Sequence, residues 1–474
     1  MAILASPTYQ LQPSAEQVPV STNYITNFNF LNQYLPDTYE KEFERYGNRT
    51  IASFLRMVGA ELPSNSDMIK WTEQGRLHTK YTNCATSAAA AADTATITVN
   101  DTLTPGTGSI AIRAGQTVFI YANASGLSNH GIVTAVNTSA KTFDVAYYEG
   151  GGQTFGNVTV SVWIYGSEFR KGTVGMVGSL ESDDDFYSNS PIIIKDKYAV
   201  SGSDMAQIGW VEVTTENGAT GYLWYMKSEH ETRLRFEDYL ETAMIEAVPA
   251  EAGSGAIAQT TFGNKGSEGM FYVINTRGNV WGAGNPTTLA DWDTIVSRLD
   301  KQGAIEENAL FVNRSFSFNT DDMLATLNGF NGTGSANAAS FGLFDNDVNM
   351  ALNLGFSGFR RGYDFYKSDW KYLNDPTMRG AMPAAGVGSI TGVLVPAGST
   401  SVYDQVIGQN AKRPFLHVRY RATETEDRRY KTWITGSAGG AQTSDLDAME
   451  VNFLSERALC TLGANNFVLF RYGA

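Results

Sequence analysis

The residues best suited to proton transfer or metal binding near neutral pH are the four histidines, His78, His130, His230 and His417. They lie far apart, and no His-Glu-x-x-His pair or second ligand accompanies any of them, so structural or surface roles are expected. Cys84 and Cys460 stand without a histidine partner of the kind that makes a nucleophile. Gly263-Asn264-Lys265-Gly266 has a glycine and a lysine but not the spacing or the following Ser/Thr of a phosphate loop. Gly355-Phe356-Ser357-Gly358 falls one residue off a nucleophile elbow. Asp345-Asn346-Asp347-Val348-Asn349 opens like a calcium loop, yet Met350 and Phe356 stand where the loop needs Gly and Glu, which suits an Asx-rich helix start better. The sequence therefore predicts no catalytic residues, no cofactor and no metal.

Two charged clusters remain. Glu181, Asp183, Asp184 and Asp185 form a dense acidic group. Lys412, Arg413, Arg419, Arg421, Arg428, Arg429 and Lys431 form a basic one, offset by Glu424, Glu426 and Asp427. Complementary patches far apart in one chain can set the register between copies of a subunit. Glu181, Asp183, Asp184, Asp185, Arg413, Arg419, Arg421, Arg428 and Arg429 are on that ground candidate subunit-interface residues; the alternatives are a solvated acidic loop or, further off, a divalent-cation site for the acids, and a solvated sheet face for the bases. Trp163, Trp224 and Trp370 would serve as sugar platforms if exposed, and as core otherwise.

The elements that must position these groups follow from hydrophobic period. Residues 1–37 are polar and aromatic without helical period over most of their length, an arm that orders only against something else. Tyr39, Phe43 and Tyr46, then Ile51, Phe54, Leu55 and Val58, recur at helical spacing. Residues 85–165 carry five short alternating runs, Thr96–Asn100, Gln116–Tyr121, Ile132–Asn137, Thr142–Tyr147 and Val158–Tyr165, separated by Gly- and Ser-rich turns. That spacing predicts an inserted small all-β barrel or sandwich. Between Met226 and Ala247 the apolar set Phe236, Leu240, Ala243, Met244 and Ala247 predicts a long amphipathic helix, stopped by Pro249. A second helix is expected from Leu289 to Lys301, capped by Thr288 with Asp291 and ended by Gly303. Asn319 is expected to cap a short helix through Met323, Leu324 and Leu327. The C-terminal stretch alternates again, with Phe415, His417, Arg419 and Arg421 on one strand face and Met449, Val451 and Phe453 on another.

Composition bounds the function. The chain has 474 residues, 42% hydrophobic and 18% charged, enough apolar content for several cores. No apolar run approaches the length of a membrane-spanning helix. Two cysteines build no disulfide framework, so a reducing compartment is expected. Thirty-five basic against 49 acidic residues give a net charge of −14, which disfavours tight, sequence-independent binding to nucleic acid.

Taken in order, an N-terminal arm, a long β-excursion, a long amphipathic helix and a mixed α/β lobe ending in alternating strands resemble the major capsid proteins of tailed bacteriophages with the Hong Kong 97-type fold. The C-terminal runs Phe453-Leu454-Ser455-Glu456-Arg457-Ala458-Leu459 and Gly463-Ala464-Asn465-Asn466-Phe467-Val468-Leu469 look like the closing strands of the larger members, including those of crAss-like and related podoviruses. The resemblance implies an α+β fold: arm and helical segment at 1–67, an extended loop at 68–225 enclosing the β-domain 85–165, a peripheral domain at 226–304 with spine helix 226–247, an axial domain at 305–440, and C-terminal strands at 441–474 returning to the peripheral domain. It implies a subunit that polymerises as pentamers and hexamers into an icosahedral shell around double-stranded DNA, touched weakly and non-specifically. The partners implied are copies of itself and separate scaffolding, portal and decoration proteins, with no membrane. The implied location is the virion, after assembly in the host bacterial cytoplasm. The competing readings are another phage structural protein or a nanocompartment shell, and, further off, a carbohydrate-active enzyme with a β-barrel binding module.

Overall fold

The computed structural model describes residues 60–473 except 76–77, 88–92, 102–109, 150–154, 156–157, 179–183, 207–212, 215–219, 222–223, 259–263, 304, 328–356, 382–387, 405–408 and 439–441. The arm 1–37, the helical repeat from Tyr39 to Val58 and the Asx-rich run from Asp345 lie outside the described residues. The chain divides into two compact units, one made of residues 68–189 and the other of the remainder. The fold is α+β, with mixed sheets, helices and a closed six-stranded barrel.

The unit 68–189 begins and ends in a two-stranded antiparallel ribbon, β2 (Ile69–Gln74) against β9 (Asp184–Asn189). Between them stand β3 (Lys80–Thr86), β4 (Thr94–Val99), β5 (Gln116–Ala122), β6 (Ser128–Asn137), β7 (Thr142–Tyr147) and β8 (Thr159–Ser167), closed in the order β3-β4-β7-β6-β5-β8. Alternation decides the faces: Ile97, Val99, Val118, Ile120, Val133, Phe143, Val145, Val160 and Val162 are buried together inside. The sequence pattern starts this unit at residue 85; the barrel also takes in β3, which lies mostly ahead of that boundary. The period of two is broken there by a bulge between Tyr81 and Cys84, both of which are buried.

In the other unit a first sheet runs β1 (Ala60–Ser64), β20 (Leu416–Arg421), β22 (Ala448–Thr461), β10 (Ile192–Ser201), with β21 (Lys431–Gly436) also paired to β22. The longest helix, α1 (Trp224–Glu246), buries Phe236 and Leu240 against Val200, Met449, Val451 and Phe453 of this sheet, so the alternating triplet at 449–453 does mark one face. Phe236 stacks on Phe453 at 5.7 Å. β20 does not alternate cleanly: Leu416, His417 and Val418 are all buried, so side chains on both faces of its first half are covered.

A second sheet of six strands runs β13 (Asn279–Trp281), β23 (Val468–Arg471), β17 (Ile390–Pro396), β14 (Glu307–Val312), β16 (Tyr363–Asp369), β15 (Gly358–Arg361). Residues 305–440 are thus shared: β14 to β17 enter the second sheet, while β20 and β21 enter the first. The C-terminal β23 pairs with β13 and β17. Short ribbons β11 (Val213–Thr214) with β12 (Thr220–Gly221), and β18 (Ser399–Asp404) with β19 (Gln409–Pro414), complete the strands. Helix α2 (Met270–Arg277) brings Met270, Phe271 and Ile274 into one core with Met244, Ile245, Val393, Val395, Leu416, Val418 and Leu469, which come from α1 and from both sheets.

Helix α3 (Leu289–Gln302) forms where the sequence places it. Thr288 and Asp291 make a reciprocal capping box, and Gly303 ends the helix in the left-handed region at φ 71°. Helix α4 (Arg314–Leu327) starts earlier than expected. Asn313, not Asn319, accepts from the Phe316 amide at 2.8 Å, and Asn319 sits within the helix. Trp292 of α3 is fully buried among Phe316, Phe359, Phe365 and Phe470, with ring centroids 4.8–6.3 Å away. Trp292→Ala is expected to destabilise this unit by about 3–5 kcal/mol, because so large a void surrounded by rings collapses poorly. Chemical denaturation followed by far-UV circular dichroism measures this; a loss below about 1 kcal/mol would contradict the packing described.

Candidate functional site

The basic cluster lies on β20, on the connection to β21, and beside β22, and it is met by acids of its own unit. Arg421 pairs with Asp67 and, at 3.2 Å, with Glu456. Arg428 Nε lies 2.8 Å from the other oxygen of Glu456. Arg429 pairs with Glu61, which also lies 3.4 Å from Arg457 Nη1. Arg457, buried on the central strand, donates from Nε to Ser455 Oγ at 2.9 Å and from Nη2 to the Arg429 carbonyl at 3.0 Å. Lys431 pairs with Glu426 at 2.8 Å. The Arg421 guanidinium holds the Asp67 carboxyl below the usual carboxylate range by hydrogen bond and charge. Arg413 lies on β19, and Arg419 is half-buried on β20 with its Nε unpartnered by a hydrogen bond among the described residues.

The sequence identified the arginines and missed Glu61, Asp67 and Glu456. No local signal could have found them: Glu61 and Asp67 stand more than 350 positions before Arg429 and Arg421, and only the β1–β20–β22 register brings them together.

Of the acidic cluster, Glu181 and Asp183 lie outside the described residues, Asp184 opens β9, and Asp185 is exposed on that strand opposite Glu73. The ribbon carries large apolar groups into solvent within its own unit. Phe186 is 75% exposed and Met68 half exposed, and the nearby segment 168–178 exposes Val174, Met176 and Val177.

The remaining candidates for chemistry have structural places. Cys84 and Cys460 are buried, and burial pushes each thiol up to about 12, so both are protonated and unreactive near neutrality. Gly266, at φ +69°, forms an antiparallel bridge to Pro249, and the Lys265 carbonyl accepts from the Ala250 amide at 2.8 Å. Gly358 opens β15. Trp370 is a core residue beside Phe271 and Phe311. Trp163 is exposed on the barrel, and the Trp224 side chain lies outside what is described. Among the described residues, no group of three or more His, Cys, Asp and Glu is arranged to hold a metal ion, and no helix is long and apolar enough to cross a membrane.

His417 is the histidine that the fold alters strongly. Burial, with the Arg419 and Arg413 charges adding to it, pulls its pKa down to about 4, while the ring Nδ1 lies 3.2 Å from the Pro414 carbonyl. A folded pKa below the unfolded value of about 6.5 means that the unfolded chain binds the proton better. The associated stability is whole above about pH 6.5 and is lost as pH falls toward 4, amounting to roughly 3 kcal/mol in all. His417→Asn should therefore narrow the gap in melting temperature between about pH 7 and about pH 4.5. An unchanged gap in differential scanning fluorimetry would place the acid sensitivity elsewhere.

No protein-family model matches the chain, and no curated protein matches its sequence. Among solved structures it is similar to a chain from Microbacterium phage Oxtober96, at 10% identity over 93% of this chain and 97% of that one, with a TM-score of 0.38. It is similar also to a chain of the capsid of the native GTA particle computed with C5 symmetry, at 9% identity, 93% and 96% coverage, and a TM-score of 0.37. A chain of the asymmetric unit of the bacteriophage PhiM1 mature capsid matches at 8% identity, 92% and 90% coverage, and a TM-score of 0.37.

Proposed function

We propose that this chain is a self-assembling shell subunit, the major capsid protein of a tailed bacteriophage with a Hong Kong 97-type fold. The observation that carries the reading is the β2–β9 ribbon. Its two strands pair only with each other among the described residues, and it turns Phe186 and Met68 to solvent within its own unit. An isolated two-stranded ribbon is marginal in water and gains stability by lying on another surface, which copies of the same chain supply in a shell.

In this reading the segment 1–37 is the arm that crosses a neighbouring subunit, 68–225 the extended loop, α1 the spine helix of the peripheral domain, and residues 305–440 the axial domain. Pentamers and hexamers close an icosahedral shell around double-stranded DNA, and the net charge of −14 suits an interior that does not adhere to its contents. Separate scaffolding, portal and decoration proteins complete the particle. At subunit boundaries Glu181, Asp183, Asp184 and Asp185 of one copy meet Arg413, Arg419 and the exposed portions of Arg421, Arg428 and Arg429 of another.

Negative-stain electron microscopy of the concentrated protein tests the proposal. Closed shells, or rings of five and six subunits, are expected; a small oligomer that persists even with the phage's scaffolding protein present would overturn it. Deleting residues 2–30 should leave a soluble protein that no longer closes shells, and normal shells from that deletion would remove the role assigned to the arm. DNA rather than a protein cargo inside native particles separates a capsid from a nanocompartment.

A further inference from the structure

On the outer wall of the barrel, β8, β5 and β6 lie side by side and bring five ring-bearing side chains together. Phe119 of β5 is in register with both Trp163 of β8 and His130 of β6. Its ring lies 4.9 Å from that of His130, which meets Tyr165 edge-on at 5.7 Å; Trp163 and Tyr165 are 6.3 Å apart. Tyr121 continues the row. Inside a closed barrel such residues would be core, but these point out: Trp163 is 46%, Tyr165 44% and Tyr121 42% exposed. Neutral hydrogen-bonding groups adjoin the rings, since Tyr121 is in register with Ser161 and Ser128, and Ser161 Oγ donates to Asn123 Oδ1 at 2.8 Å.

We propose that this face binds a neutral oligosaccharide, its pyranose rings stacking on Trp163 and Tyr165 and its hydroxyls meeting the Ser/Asn row. Charge selects among occupants. Across residues 80–167, three cations (Lys80, Arg113, Lys141) stand against four anions (Asp93, Asp101, Asp144, Glu149), and only Lys80 is in register with the aromatic row. Single-stranded nucleic acid also stacks on aromatic rings, but it requires a track of cations along its backbone. A helical partner needs a groove, and a peptide strand needs a free sheet edge. The outside of a closed six-stranded barrel is convex and has no edge. An uncharged polymer with an apolar ring face and many hydroxyls fits what is left.

The test uses the full chain, titrated separately with cellohexaose, maltohexaose and chitohexaose while tryptophan fluorescence is followed, with oligo-dT as a competitor. Saturable binding to at least one sugar is expected. Trp163→Ala and Tyr165→Ala should each weaken it about tenfold or more, with Trp163→Phe restoring part of it, while circular dichroism stays unchanged because both residues lie on the surface. Four results would each overturn the proposal: no saturable signal with any of the three at millimolar concentration, equal affinity in Trp163→Ala, displacement of the sugar by oligo-dT, or loss of self-association in Trp163→Ala, which would make the face a contact between copies of the chain.

Discussion

Removal of residues 80–167, with Thr79 joined to Glu168 through a short Gly/Ser linker, is expected to delete one calorimetric transition and leave the other in place. The barrel carries its own core and is closed on itself, so it contributes a cooperative unit of its own. Its incoming and outgoing strands are antiparallel neighbours: Lys80 is in register with Trp163, and the Ile164 amide donates to the Thr79 carbonyl at 3.3 Å. A short linker therefore bridges the cut without dragging the ribbon strands apart. The boundary matters. Excision of 85–165 would strand Tyr81 and Cys84, which are buried in the intact barrel, on a cut strand without its partners, and that variant should aggregate. Scanning calorimetry of the three proteins decides the matter. If the 80–167 excision also abolishes the transition of the larger unit, the barrel is integral to the fold rather than an insert.

The difference between those two cuts also shows what the sequence could and could not reveal. Five barrel strands were legible because each alternates with a period of two between turn residues. The sixth was hidden by a bulge that puts two residues between Tyr81 and Cys84, where alternation allows one. The capping box and C-terminal glycine of α3 were legible because all their partners lie within the helix's own turns. The start of α4 was misplaced, since Asn319-Thr320-Asp321-Asp322 looks like a cap although Phe316 already keeps the helical spacing toward Thr320 and Met323. What sequence reading could not reach was pairing at a distance. The arginines were visible as a run, but the acids that meet them come from β1, from the segment just after it, and from the middle of β22. The aromatic face of the barrel was hidden for the same reason: Phe119, His130, Trp163 and Tyr165 come from three strands, and only the register makes them neighbours.

That long-range pairing leads to the second large effect. Glu456→Ala is expected to lower the stability of the subunit itself by about 2–4 kcal/mol. The Glu456 side chain is 8% exposed and serves two guanidiniums, those of Arg421 and Arg428. Without it, Arg428 loses its paired carboxylate and Arg421 keeps only Asp67, whose side chain is 86% exposed and which holds it more weakly in water. The cost should stay below that of a fully buried unpaired charge, since both arginines retain some solvent contact. Because the pair is shielded, moderate salt should change its contribution little. Asp185→Asn is the contrasting case: an exposed carboxylate whose loss should leave subunit stability within about 0.5 kcal/mol and alter only the salt dependence of assembly. Melting curves of dissociated subunits, set beside light scattering of assembly across a salt series, separate the two roles. If Glu456→Ala melts like the parent and instead fails to assemble, the arginines act chiefly across a boundary between copies. If it melts early, they hold β1 and β20 to the central strand first, and only their exposed remainder is left to meet a neighbour.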